Sequence, residues 1–180
     1  MRVYLGGFIQ SGDPSAITSQ TQDGTSTACP HYGHIDFDGD GVNDFAIYRR
    51  QFGLWAILKS STNNTELIWK QRGLPGDYPM AGDYTGDGKA DLVVWRPTNG
   101  NWYICNSASN VDCTQGTVQQ FGLAGDRPLR GDYDNDGILD LAVWRPSFGF
   151  FIFKGSRSGE VVVRQWGLPG DVPLDTDPNQ

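Results

Sequence analysis

The sequence predicts an all-β protein made of repeated antiparallel units, and three observations predict it. An aspartate-rich loop of one pattern recurs three times, starting at Asp36, Asp83 and Asp132. Each copy leads straight into a short apolar run, at residues 45–48, 92–95 and 141–144. β-Branched and aromatic residues fill the remaining runs, Gly or Pro punctuates them, and no stretch has helical periodicity of useful length.

The repeat sets the order of elements. Its loops are spaced by 47 and 49 residues. A second landmark, Gly73-Leu74-Pro75-Gly76-Asp77-Tyr78-Pro79, returns at residues 122–128 and 167–173. A third, Trp95-Arg96-Pro97, returns as Trp144-Arg145-Pro146, with Tyr48-Arg49-Arg50 as its weaker first copy. In the second unit, strands are predicted at 92–96, 101–105 and 117–121, with a turn at 97–100. The third unit repeats them at 141–145, 150–153 and 161–166, with a turn at 146–149. A short fourth strand is expected near 128–130, just before the third loop. Units of about 48 residues built this way, near 36–82, 83–131 and 132–176, read as three propeller-type antiparallel blades. A β-solenoid or a stack of hairpins has the same period; the almost wholly apolar strand after each loop favours the blade, where a strand is packed between neighbouring sheets.

The loops place oxygen side chains at positions 1, 3, 5 and 9 and Gly at position 6, where a sharp turn is needed; the carbonyl at position 7 adds another oxygen. Such a loop suits a hard cation, and calcium fits it. An EF-hand is excluded, because that loop is flanked by helices and ends on Glu at position 12. An Asx-turn closing a hairpin without metal is the plainer alternative, but several carboxylates crowded into one loop repel each other unless a cation lies among them.

Composition agrees. The chain has 180 residues, 38% of them hydrophobic, and a formal charge of −7, and its three loops hold eleven of the 21 acidic residues. Three Ca²⁺ would bring the charge to about −1, so the acid excess is ligand charge rather than a general field. With a pI near 4.6 and no basic stripe, a nucleic-acid partner is not expected. No apolar run approaches the roughly 20 residues that span a bilayer, so membrane insertion is not expected either, and the first residues lack the apolar stretch of a secretion signal. Cys105 ends one predicted strand and Cys113 precedes the next, so a disulfide across the hairpin is geometrically reasonable, with two unpaired thiols as the alternative; Cys29 reads as a free or intermolecular thiol.

At these residues the chain resembles the FG-GAP and VCBS repeat family, whose calcium-loop blades occur in integrin α-chain propellers, secreted bacterial proteins and some fungal lectins. The resemblance covers roughly residues 33–177. It implies metal ligands at Asp36, Asp38, Asp40 and Asp44 with the Val42 carbonyl. In the second loop they are Asp83, Thr85, Asp87 and Asp91 with the Lys89 carbonyl; in the third, Asp132, Asp134, Asp136 and Asp140 with the Ile138 carbonyl. Thr85 departs from the pattern, and one fewer anionic ligand predicts that the second site empties first.

The domain organisation expected is an N-terminal strand and polar linker over 1–32, then the repeat domain over 33–180. Residues 2–10 can make one strand and 11–30 read as a loop. Asp177 and Asn179 open a fourth, incomplete unit. Unclosed blades leave sheet edges and apolar faces exposed, so self-association into a ring or filament, or a larger parent chain, is expected.

Catalytic motifs are missing: no nucleophile turn and no phosphate loop appears, and His31 and His34 read as surface or hydrogen-bonding residues rather than zinc ligands. Arg130-Gly131-Asp132 spells an adhesive tripeptide, but Gly82-Asp83 begins a loop in the same way. Asn63-Asn64-Thr65 is a glycan acceptor triplet. Trp55, Trp102 and Phe151, with Trp95 and Trp144, read as packing between blades or as a carbohydrate platform. The sequence therefore reads as a non-catalytic, calcium-binding, extracellular or cell-surface module with a structural or adhesive role. The alternatives are a calcium-dependent lectin, with a carbohydrate or cell-surface protein as partner, and a fragment of a larger secreted enzyme or receptor.

Overall fold

The computed structural model describes residues 35–107 and 113–174. The predicted N-terminal strand and linker, Cys29, His31, His34, and Asp177 and Asn179 of the fourth unit lie outside the described residues.

Eleven short strands form three antiparallel sheets with almost no helix and no closed barrel. The first sheet contains β1 (Phe45–Arg49), β2 (Leu54–Leu58) and β3 (Leu67–Gln71) in that order. The second contains β4 (Tyr78–Pro79), β5 (Leu92–Arg96), β6 (Asn101–Cys105) and β7 (Thr117–Gln120), again side by side in sequence. The third repeats this with β8 (Arg127–Leu129), β9 (Leu141–Arg145), β10 (Phe150–Lys154) and β11 (Val161–Gln165). All six strands predicted for the second and third units match to within one residue at each end, and the fourth strand near 128–130 is β8.

One difference concerns phase. The second and third aspartate loops lie inside their sheets, between the short first strand and the long second one, so those two sheets open at Tyr78 and Arg127, ahead of Asp83 and Asp132. The reason is pairing: Tyr78 and Pro79 sit opposite Trp95 and Val94, and Arg127, Pro128 and Leu129 opposite Trp144, Val143 and Ala142. Units counted from loop to loop are thus out of step with the hydrogen-bonded sheets.

Tight turns between the long strands rely on one glycine each. Gly100 and Gly149 have φ of 68° and 65°, and their N–H groups donate to Arg96 and Arg145 carbonyls at 2.9 and 3.0 Å. A side chain at Gly100 would run into the Gly122 carbonyl as well as adopt a left-handed backbone, so no other residue serves there.

Alternate residues of β5 enter two different cores. Leu92 and Val94 pack with Trp55 and Ile57 of the first sheet. Val93 and Trp95 pack with Trp102 and Ile104 and, across the next gap, with Leu141 and Val143 of the third sheet. A strand buried on both faces has no solvent side to mark with polar residues, which explains the continuous apolar run after the loop. Cys105 is joined to Cys113, with Cα atoms 4.8 Å apart, tying the end of β6 to the connection that follows.

Candidate metal centres

Each loop is folded around its first and last aspartates. In the first loop the Asp36 carboxylate accepts the N–H groups of Gly39 and Gly41 at 2.6 and 2.8 Å. Asp83 does the same for Gly86 and Gly88 at 2.6 and 2.8 Å, and Asp132 for Asp136 and Gly137 at 3.2 and 2.9 Å. The position-6 glycines turn with φ of 88°, 83° and 93° at Gly41, Gly88 and Gly137. The chain curls around the position-1 carboxylate because that side chain satisfies N–H groups a sharp turn leaves unpaired.

The last aspartates, Asp44, Asp91 and Asp140, are buried and bridge the loop to the rest of the sheet. One oxygen accepts the N–H of Phe37, Tyr84 or Tyr133 at 2.7, 2.8 and 2.8 Å. The other accepts the N–H of Ser60, Ser107 or Ser156, at 2.7, 2.9 and 2.9 Å. The same serines turn their hydroxyls onto position 5, at 2.9 Å to Asp40 and 2.7 Å to Asp87 and Asp136. These serines were not singled out from the sequence. Their signal was a fixed offset of 16 residues from the last aspartate of every loop.

The structure brings the position-1, 3 and 5 carboxylates together in two of the three loops. Asp36, Asp38 and Asp40 each offer an oxygen within 4.8 Å of the others, and so do Asp132, Asp134 and Asp136. The second loop has Thr85 at position 3, whose hydroxyl lies 3.4 Å from an Asp91 oxygen. Of the position-7 carbonyls, that of Val42 accepts the Ser60 hydroxyl at 3.4 Å. The Lys89 and Ile138 side chains lie across Gly39 and Gly86 of the preceding loop. Successive loops are also joined by their backbones: Ala90 donates to the Asp36 carbonyl at 2.6 Å and Leu139 to the Asp83 carbonyl at 2.8 Å.

Charge is crowded here. Burial pushes Asp91 up to about 6, with Asp87 and Asp83 adding to the rise against the hydrogen bonds from Ser107 and Tyr84. Asp140 is raised by its burial, and Asp134 by desolvation and by Asp136 and Asp132 beside it. Burial works against ionisation of Asp38 and Asp136, but hydrogen bonds led by Ser61 and Ser156 outweigh it and hold both carboxyls below the usual range. A set of hard oxygens held ionised in a tight space fits a divalent cation of the calcium type, and such an ion would offset the repulsion that the fold imposes.

Away from the loops, the other two landmarks meet each other. Arg96 clamps Asp77 with two donors, both at 2.8 Å, and Arg145 clamps Asp126 at 2.7 and 2.8 Å. Cys105–Cys113 is a disulfide, and Asn63 is exposed at the end of a short 3-10 turn with φ of 55°. Trp55, Trp95, Trp102 and Trp144 are all buried and pack between and within sheets. Asp132 of the Arg130-Gly131-Asp132 triplet is turned into its own loop, and Arg130 donates to the Ala81 carbonyl at 3.1 Å.

The sheets and loops define an all-β repeat protein of antiparallel sheets with aspartate-rich loops. Comparison with protein-family models gives a match: residues 83–143, from the second loop to the third-sheet strand β9, match the FG-GAP-like repeat. Searches of curated proteins and of solved structures find no match. Among the described residues no helix is long and apolar enough to cross a membrane.

Proposed function

We propose that this chain is a non-catalytic, calcium-stabilised repeat module of extracellular type, with a structural or adhesive role and a tendency to self-associate. The observation that carries it is the convergence of Asp36, Asp38 and Asp40, and of Asp132, Asp134 and Asp136, each set offering carboxylate oxygens within 4.8 Å of one another. Calcium in these loops would join positions 1, 3 and 5 to the last aspartate and, through Ser60, Ser107 and Ser156, to the far end of the second long strand. Metal-binding energy then becomes folding energy. The Cys105–Cys113 disulfide suits an oxidising compartment, and the FG-GAP-like repeat suits the same setting. Exposed Phe45 and Ile47 on β1 support self-association.

Calorimetric titration of chelator-treated protein with Ca²⁺, paired with thermal melts in Ca²⁺ and in EGTA, tests this. Binding with a melting temperature raised by ten degrees or more is expected, on the order of several kcal/mol of linkage. An unchanged melt and no heat of binding overturn the calcium reading.

A further inference from the structure

Each junction between sheets uses the same four residues. At the first junction Val94 lies against Gly73, where a Cβ would be 3.4 Å from its methyl, and Arg96 reaches Asp77. At the second, Val143 lies against Gly122, where a Cβ would be 3.2 Å from its methyl, and Arg145 reaches Asp126. The donor half is an aliphatic residue and an arginine two positions apart on the strand after the loop. The acceptor half is a glycine and an aspartate four positions apart in the preceding connection.

One donor half and one acceptor half are left over. Ile47 and Arg49 occupy the donor positions on β1; Ile47 is 56% exposed, whereas its counterpart Val94 is fully buried. Arg49 has no carboxylate among the described residues and lies over the Trp69 ring at 5.0 Å. Asp77 precedes Arg96, and Asp126 precedes Arg145, by 19 residues; the residue at that sequence offset before Arg49 is Pro30, which has no carboxylate. At the other end, Gly167 and Asp171 occupy the acceptor positions. Asp171 is already shaped for the clamp, accepting the Leu168 N–H at 2.8 Å as Asp77 and Asp126 accept those of Leu74 and Leu123 at 2.8 and 2.9 Å, but no arginine among the described residues reaches it. Beside it, Trp144, Phe151, Trp166 and Gly167 line an open cavity of about 440 Å³ where the other junctions hold a valine. Among the described residues, the backbone rung between loops is open at the same two ends: no N–H is directed to the Asp132 carbonyl, and Asn43, at the register of Ala90 and Leu139, donates to no carbonyl.

We propose that a second copy of this chain fills these ends head to tail, with Ile47 seated in the cavity beside Trp144 and Gly167 and Arg49 clamping Asp171 of its neighbour. This rests on the self-association reading above and specifies its geometry. Such a contact is heterologous, so it closes only when the copies complete a turn. The three sheets of the described residues become six in a pair of copies, within the four to eight of closed propellers, and the species proposed is a closed dimer.

Charge reversal tests it, with light scattering on the full chain in Ca²⁺ and folding checked by circular dichroism. The wild type is expected near 40 kDa, twice the 19.8 kDa chain. Arg49→Asp alone and Asp171→Arg alone are each expected to be monomers, with dimer dissociation raised about 100-fold or more. Mixed one to one, they are expected to regain the dimer, because one junction then carries the reversed pair and the other the native pair. A wild-type monomer overturns both this geometry and self-association. A wild-type oligomer that either variant leaves intact, a mixture that stays monomeric, or an open filament overturns this geometry alone.

Discussion

Arg145 holds Asp126 with two parallel hydrogen bonds, at 2.7 and 2.8 Å, across 19 residues of sequence, and the aspartate side chain keeps only 2% of its surface. The clamp fixes the connection between two sheets to the end of a strand in the later one. It also gives the connection its shape, since the same carboxylate accepts the Leu123 N–H and its own N–H returns to the Leu123 carbonyl.

Removing the arginine strands a buried carboxylate. Arg145→Ala is expected to lower unfolding free energy by about 2 kcal/mol, below the full cost of breaking a buried pair because the arginine is partly exposed. Arg145→Lys keeps the charge but loses the fork and should recover less than half of that. Urea denaturation of the three proteins measures both.

The serines that bridge loop and strand should behave as hydrogen-bond donors of ordinary worth. Ser156→Ala deletes the hydroxyl on Asp136 but keeps the N–H on Asp140, and a loss of about 1 kcal/mol is expected. Ser156→Pro also removes that N–H, leaving an oxygen of buried Asp140 unmatched, and should cost clearly more. Equal melting temperatures for the two variants would contradict the bridge.

Thr85 sets the second loop apart. Thr85→Asp adds a third carboxylate to Asp83 and Asp87 and is expected to tighten the weakest calcium site about tenfold, visible as the loss of the weakest step in a chelator titration. Three steps of unequal affinity are expected for the wild type; three equal ones would remove the basis for this variant.

Alkaline pH should loosen the core. Burial pushes Tyr48 up to about 12, helped by Asp77, and Tyr84 is raised further by its own burial. A phenol whose folded pKa lies above its unfolded value near 10 contributes stability that is complete below pH 10 and is lost as pH rises through the folded value. Melting temperature should therefore hold between pH 8 and 9.5 and fall beyond 10. The Tyr48 hydroxyl is buried without a hydrogen-bond partner, so Tyr48→Phe should be neutral or slightly stabilising at pH 7 and should reduce the alkaline fall.

Close approach between sheets depends on glycine. Gly122 has φ of 113° and sits against Val143 and Trp95, so Gly122→Ala combines backbone strain with overpacking and is expected to cost about 2 kcal/mol by denaturant titration. Gly125, also at positive φ but with open space around it, should cost less on the same substitution.

The sequence by itself determined the all-β class, most long strands almost to the residue, and the three loops, because a short-range physical signal marks each of them. Period-2 and fully apolar runs identify strands, and Asp and Gly at fixed offsets identify a loop whose own backbone needs them. Even the three serines had a signal in their offset from Asp44, Asp91 and Asp140, although serine's ordinary chemistry hid it. What only the tertiary structure decided is which residues meet across long stretches of chain. The Gly-Leu-Pro-Gly-Asp and Trp-Arg-Pro landmarks recur together in sequence, yet nothing local states that Asp77 belongs to Arg96 or Asp126 to Arg145. The phase of the sheets was likewise decided by Tyr78 and Arg127 pairing back across their own loops. Local pattern fixes the elements because dihedral preference and burial act residue by residue; partnership depends on the packing of one sheet on the next, where a glycine, a valine and an ion pair must all fit at once.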